Sequence, residues 1–247
     1  MSRRKILAGN WKMNHGLQET KAFFSVLEGK LPTPKAGCEF QLYLPYLSLA
    51  TGLSEAPQSI KIGAQNAHWE MKGAFTGEIS GPMLKEAGID HVLVGHSERR
   101  QYFGETDDTV AKRALSLLKQ GFQVLACIGE TRAERESGQT NKVLEKQLTP
   151  LCTTELQAYF GKALNFAYEP VWAIGTGLTA TPEQAQEAHA YVRSRVSAST
   201  SILYGGSVTP ANFASLLSCK DIDGGLVGGA SLKSEDWLKL AQILVNS

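Results

Sequence analysis

The sequence predicts a closed barrel of eight parallel strands ringed by helices, a (β/α)8 fold filling one domain over residues 1–247. Three observations predict it. Eight short β-type runs recur along the chain, and the segments between them carry helical periodicity with cap residues. Shared among eight units, 247 residues leave about 31 apiece, close to the size of a strand–helix element. A doubly wound open sheet ordinarily uses fewer strands before its edges need protection, so the closed barrel is the better fit.

In chain order the runs span residues 5–9, 40–44, 60–64, 91–95, 123–128, 165–168, 202–204 and 224–227. Several, such as "HVLVG" and "QVLACI", are continuously apolar rather than alternating, as expected of parallel strands buried on both faces. The covering helices are legible from their caps. "TDDTVAKRALSLLKQG" offers Thr106 as N-cap, two early acids that suit the helix dipole, and Gly121 as a stop. "TPEQAQEAHAYVRSRV" offers Thr181 as N-cap, Pro182 at the first helical position and Gln184 for a capping box, with Ala185, Ala188, Val192 and Val196 on one face. "TPANFASLL" and "SEDWLKLAQIL" repeat the pattern with Thr209 and Ser234 as caps.

Composition narrows the function. With 43% hydrophobic residues, 20% charged residues and a formal net charge of +1, the chain has no signature of disorder, of a nucleic-acid footprint or of attraction to anionic membranes. Any anionic ligand must be caught locally. The cysteines Cys38, Cys127, Cys152 and Cys219 form no CxxC pair, which favours reduced thiols in a cytoplasmic protein. The apolar stretch in "MSRRKILAGNW" is too short for a signal peptide or a membrane span. No HExxH or CxxC suggests a metal, and no GxSxG elbow suggests a serine nucleophile.

In a (β/α)8 barrel the chemistry sits just beyond the C-terminal ends of the strands, with phosphate at the seventh and eighth loops. Those ends read "NWK" after the first run, "HSERR" after the fourth, "EPVWAIGTG" after the sixth, "GGS" after the seventh and "GGA" after the eighth. Taken together, "AGNWKMN", "VGHSERR", "YEPVWAIGTG", "YGGSV" and "GGLVGGASL", ordered between Leu7 and Leu232, resemble the triosephosphate isomerase family. The resemblance implies interconversion of dihydroxyacetone phosphate and D-glyceraldehyde 3-phosphate through a cis-enediolate, a step of glycolysis and gluconeogenesis that needs no cofactor.

Glu169 follows an apolar run and precedes Pro170, which restricts its backbone towards an extended conformation. Desolvation by Trp172 and Ile174 should make it a stronger base, because burial penalises the charged form. His96 opens the helix at "SERR", where the positive end of the dipole favours neutral imidazole. The resemblance makes Glu169 the base and His96 the group at the substrate carbonyl, a pairing for which triosephosphate isomerase is the type case. Asn10 and Lys12, two apart on an extended segment, should face one cavity while Trp11 packs behind. Lys12 supplies fixed positive charge to the phosphate and the enediolate oxygen, with Glu98 as its counter-charge. That counter-charge weighs against a Schiff-base aldolase working through Lys12. A barrel serving only as a binding scaffold would leave the set Asn10, Lys12, His96 and Glu169 unexplained.

Backbone N–H groups around Ser207, Gly228 and Gly229 can converge on one phosphate. "GTGLTA" (175–180) matches the dinucleotide pattern GxGxxA, but no acid follows at about 20 residues, which excludes that reading. The resemblance makes the stretch Pro170, Val171, Trp172, Ala173, Ile174, Gly175, Thr176 and Gly177 a lid, with Gly175 adding an N–H on closure and the apolar residues excluding water. It also makes the loop from Gln65 to Glu78, with Trp69 and Phe75, the part that docks into a second subunit of a homodimer.

Overall fold

The computed structural model describes residues 3–173 and 180–247. Its strands are β1 (Lys5–Asn10), β2 (Cys38–Leu44), β3 (Ile60–Ala64), β4 (His91–Val94), β5 (Gln123–Ile128), β6 (Leu164–Tyr168), β7 (Ile202–Tyr204) and β8 (Gly224–Val227). All neighbours pair in parallel and β8 returns to β1, so the sheet closes into the expected barrel. Boundaries move by one or two residues, most at β2, which begins at Cys38.

The helices are α1 (Leu17–Leu27), α2 (Leu49–Glu55), α3 (Gly81–Glu86), α4 (Ser97–Phe103), α5 (Asp107–Lys119), α6 (Arg132–Glu136), α7 (Thr140–Leu148), α8 (Thr154–Gln157), α9 (Pro182–Arg195), α10 (Phe213–Leu217) and α11 (Ser234–Asn246). Among the described residues none is long and apolar enough to cross a membrane.

The core has two shells, because each strand buries both faces. Ile6, Ala8, Tyr43, Leu93, Leu125, Cys127, Ala167, Leu203 and Leu226 fill the barrel interior, while a larger shell packs strands against helices. Close approach is built into β1: a Cβ on Gly9 would lie 2.9 Å from the Trp237 ring, so α11 seats on β1 only because that atom is missing.

Two of the four predicted caps hold. The Thr106 hydroxyl accepts from Thr109 N–H and the Thr181 hydroxyl from Gln184 N–H, satisfying donors that the first helical turn leaves free. Val196 ends α9 as its C-cap rather than extending its buried face. Thr209 is not a cap. Its N–H instead donates to Asn212 Oδ1 in a turn, and α10 begins only at Phe213 with Asn212 at the N-cap position. Ser234 is likewise inside α11, whose N-cap is Lys233, because the 3-10 turn Gly229–Leu232 leads almost directly into the helix and Trp237 N–H already reaches the Lys233 carbonyl.

Candidate active site

The predicted residues converge on a cavity of about 390 Å3 at the C-terminal mouth of the barrel, lined by Asn10, Lys12, His96, Glu169, Ser207, Gly228 and Gly229 among others. That volume lies within the range of small-molecule sites.

From β1, Asn10 and Lys12 reach this cavity and Trp11 is fully buried behind them, its indole donating to the Ser231 carbonyl at 3.0 Å. The route differs from the extended one that spacing suggests, because Lys12 has a left-handed φ of 53°. Such a conformation costs a non-glycine residue about 1–3 kcal/mol and persists only where neighbours fix it. Here Lys12 N–H donates to Asn10 Oδ1 at 3.0 Å, and Gln65 Nε2 donates to the Lys12 carbonyl at 2.8 Å. Lys12 Nζ then meets Glu98 Oε1 at 2.6 Å, the predicted pairing.

His96 occupies the N-cap position of α4. Its Nδ1 accepts from Glu98 N–H at 3.2 Å, so in the neutral ring the proton must sit on Nε2. Nε2 lies 2.9 Å from Glu169 Oε1, and the other carboxylate oxygen accepts Ser97 N–H at 3.0 Å. This arrangement reverses two expectations from the sequence. Burial works to raise the Glu169 pKa, but His96, Ser97 N–H and Lys12 together hold it below the ordinary carboxylate value. Burial likewise works to lower the His96 pKa, and the adjacent Glu169 carboxylate overrides it and raises it. The Nδ1 acceptor bond pulls the other way, since only an unprotonated Nδ1 can accept. Each partner therefore stabilises the other until something separates them.

Gly205 explains how Glu169 fits: a Cβ there would stand 2.8 Å from Glu169 Cγ, so the side chain crosses bare backbone. Gly229 is open, with nothing within 4 Å of where a Cβ would stand, which leaves its backbone facing the cavity. The Ser207 hydroxyl donates to the Ala173 carbonyl at 2.7 Å, fastening the start of the predicted lid.

Of that lid, Val171–Ala173 form a 3-10 turn behind Pro170. Ile174, Gly175, Thr176 and Gly177, and all of the GxGxxA stretch except Ala180, lie outside the described residues. Trp172 does not cover Glu169 by its polar edge. Its indole donates to Glu130 Oε1 at 3.1 Å, beside the Tyr168 hydroxyl at 2.9 Å. Glu130 is fully buried and escaped the sequence reading, although an acid directly beyond β5 in "CIGE" is the same kind of strand-end signal that marked Glu169. Among the described residues no group of three or more metal-binding side chains is assembled.

A carboxylate against an imidazole, a paired lysine and exposed glycine backbone, all at the C-terminal rim, define the class: a (β/α)8-barrel enzyme with an acid–base site for a small anion. The family model described as triosephosphate isomerase matches residues 5–244. The chain is 47% identical to triosephosphate isomerase of Acetivibrio thermocellus over 252 residues, covering 98% of this chain and 99% of the relative. It is 47% identical to that of Paracidovorax citrulli, covering 97% and 98%, and 48% identical to that of Cupriavidus necator, covering 96% and 98%. The chain belongs to the triosephosphate isomerase family.

Proposed function

We propose that this chain interconverts dihydroxyacetone phosphate and D-glyceraldehyde 3-phosphate by proton transfer through a cis-enediolate, without metal or organic cofactor. The observation that carries the reading is the 2.9 Å contact between Glu169 and His96 in the cavity that also holds Lys12. Glu169 takes the proton from the carbon beside the carbonyl. To do so it must leave Ser97 N–H and His96, and losing those partners in a dry site raises its basicity. His96, freed of the carboxylate, offers Nε2–H to the substrate oxygens. Lys12 stabilises the negative charge that develops there, and Glu98 and Asn10 hold Lys12 in place.

The phosphate would sit against backbone N–H groups near Ser207, Gly228 and Gly229. Closure of residues 170–177 would bring in Gly175 N–H and exclude water, protecting an enediolate that otherwise loses phosphate. We assign the chain a single catalytic domain and a cytoplasmic setting. A homodimer built through the loop from Gln65 to Glu78 is supported by the apolar side chains that the loop exposes, Met71 and Phe75.

The test is a coupled assay of triose phosphate interconversion with Glu169→Gln alongside. We expect the variant to lose about 10²–10⁴-fold in kcat. A wild-type protein no faster than the variant overturns the proposal. Borohydride trapping of substrate on Lys12 would point instead to a Schiff-base aldolase.

A further inference from the structure

We infer that Gln147, an outer-layer residue of α7 with no contact to the cavity holding Lys12, is a positioning residue for Glu169, acting through the backbone of Gly129. The inference rests on the proposed function above and deepens it. Gly129 is the first residue past β5. Its N–H donates to Gln147 Oε1 at 2.7 Å and its carbonyl accepts from Gln147 Nε2 at 2.9 Å. Both ends of one primary amide are thus closed on one residue's backbone. A pair of bonds fixes the orientation of that residue as well as its position, and a primary amide suits it because it carries an acceptor and a donor side by side.

What Gly129 supports is Glu169. A Cβ on Gly129 would lie 1.7 Å from the Glu169 carbonyl oxygen and 3.1 Å from its Cα, so the two backbones are in direct contact and no side chain fits between them. On either side of this contact the same segment grips the same partner. Glu169 N–H donates to the Ile128 carbonyl at 2.7 Å, and Val171 N–H to the Glu130 carbonyl at 3.0 Å. Residues 128–130 are therefore the bench on which the catalytic carboxylate rests, and Gln147 ties that bench to the helical layer. Releasing the amide lets Gly129 shift, and Glu169 shifts with it. The loop after β7 is bonded to the segment around Glu169, through Gly205 N–H to the Tyr168 carbonyl at 2.7 Å and the Ser207 hydroxyl to the Ala173 carbonyl at 2.7 Å, and not to Gly129 or Gln147 themselves.

Chemistry should therefore suffer while binding does not. Misplacement of a reacting group by about 1 Å can cost on the order of 10²-fold, so Gln147→Leu, which removes both bonds at similar volume, is expected to lower kcat at least about tenfold with KM within about twofold. Gln147→Glu keeps the acceptor for Gly129 N–H and sets a carboxylate oxygen against the Gly129 carbonyl, so we expect an intermediate loss of kcat. Competitive binding of inorganic phosphate and the thermal midpoint, measured on the same samples, separate positioning from general damage. The inference is overturned if both variants keep kcat within about twofold of wild type, if phosphate binding and KM deteriorate in step with kcat, or if neither variant folds. Wild-type activity in the same assay reports separately on the proposed function, since the inference is read only from the ratio of variant to wild type.

Discussion

β4 carries a histidine at each end, and the two meet glutamates at opposite mouths of the barrel. His96, just beyond its C-terminal end, lies 2.9 Å from Glu169. His91, at its N-terminal end, has Nε2 3.2 Å from Glu39 and Nδ1 2.6 Å from Asp90. At the floor both ring nitrogens face carboxylate oxygens, which favours the cationic ring with both nitrogens donating. Glu39 is tied further by Arg4 at 2.9 Å and Gln41 at 2.7 Å, and Gln41 in turn accepts from the Tyr43 hydroxyl. At the top, Nδ1 accepts a backbone N–H instead, and the carboxylate faces open cavity. The same pair of side chains is a fastening where every polar atom has a fixed partner, and under the proposed function a reactive couple where one partner is exchanged for substrate.

The sharpest way to break this comparison is to neutralise each glutamate. Glu169→Gln should cost about 10²–10⁴-fold in kcat with little change in urea-unfolding free energy. Glu39→Gln should do the reverse, leaving kcat near wild type and lowering stability by about 2–3 kcal/mol, the scale of hydrogen bonds to a charged group. Lys12→Met belongs with the top mouth: loss of its charge should lower kcat/KM by about 10²–10³-fold, read in the same assay. If Glu39→Gln impaired catalysis as strongly as Glu169→Gln, the two mouths would not be functionally separate.

The smallest expected effect is the pH dependence of stability at the floor. Burial alone would lower the His91 pKa, but the carboxylates at both nitrogens raise it. A raised folded-state value means that the contribution is complete below the unfolded value of about 6.5 and fades as pH rises through the folded one. Burial pushes the Glu39 carboxyl up, yet His91, Gln41 and Arg4 bring it down from 4.5 to about 2. Its contribution is present above 4.5 and is lost as pH falls towards 2. Urea unfolding across pH should therefore show the floor strongest between those limits, and His91→Gln should flatten the alkaline side. A wild-type profile unchanged by that substitution would remove His91 from the account.

Much of this was open to reading from the chain. Thr106 and Thr181 mark their helices because a cap bond is made within three residues, and the Lys12–Glu98 pairing follows from strand ends that the barrel must bring together. Thr209 and Ser234 show where local reading stops. Each sits in a plausible cap motif, but the turn at Asn212 and the 3-10 turn after β8 supply the bonds first. Glu130 carries a strand-end signal in the sequence, but its partner Trp172 does not follow from it, and Gln147 carries no signal at all, because what each holds, Trp172 and Gly129, is decided by how distant segments abut.

The sequence by itself determined the barrel, the order of its elements and which residues stand at its C-terminal rim, since strand periodicity, caps and strand-end motifs are properties of neighbouring residues. The protonation balance belonged to the tertiary structure alone. Reading Glu169 as merely buried predicts a raised pKa. Only the approach of His96 and Ser97 N–H, 73 and 72 residues earlier in the chain, shows that the carboxylate is held below its ordinary value.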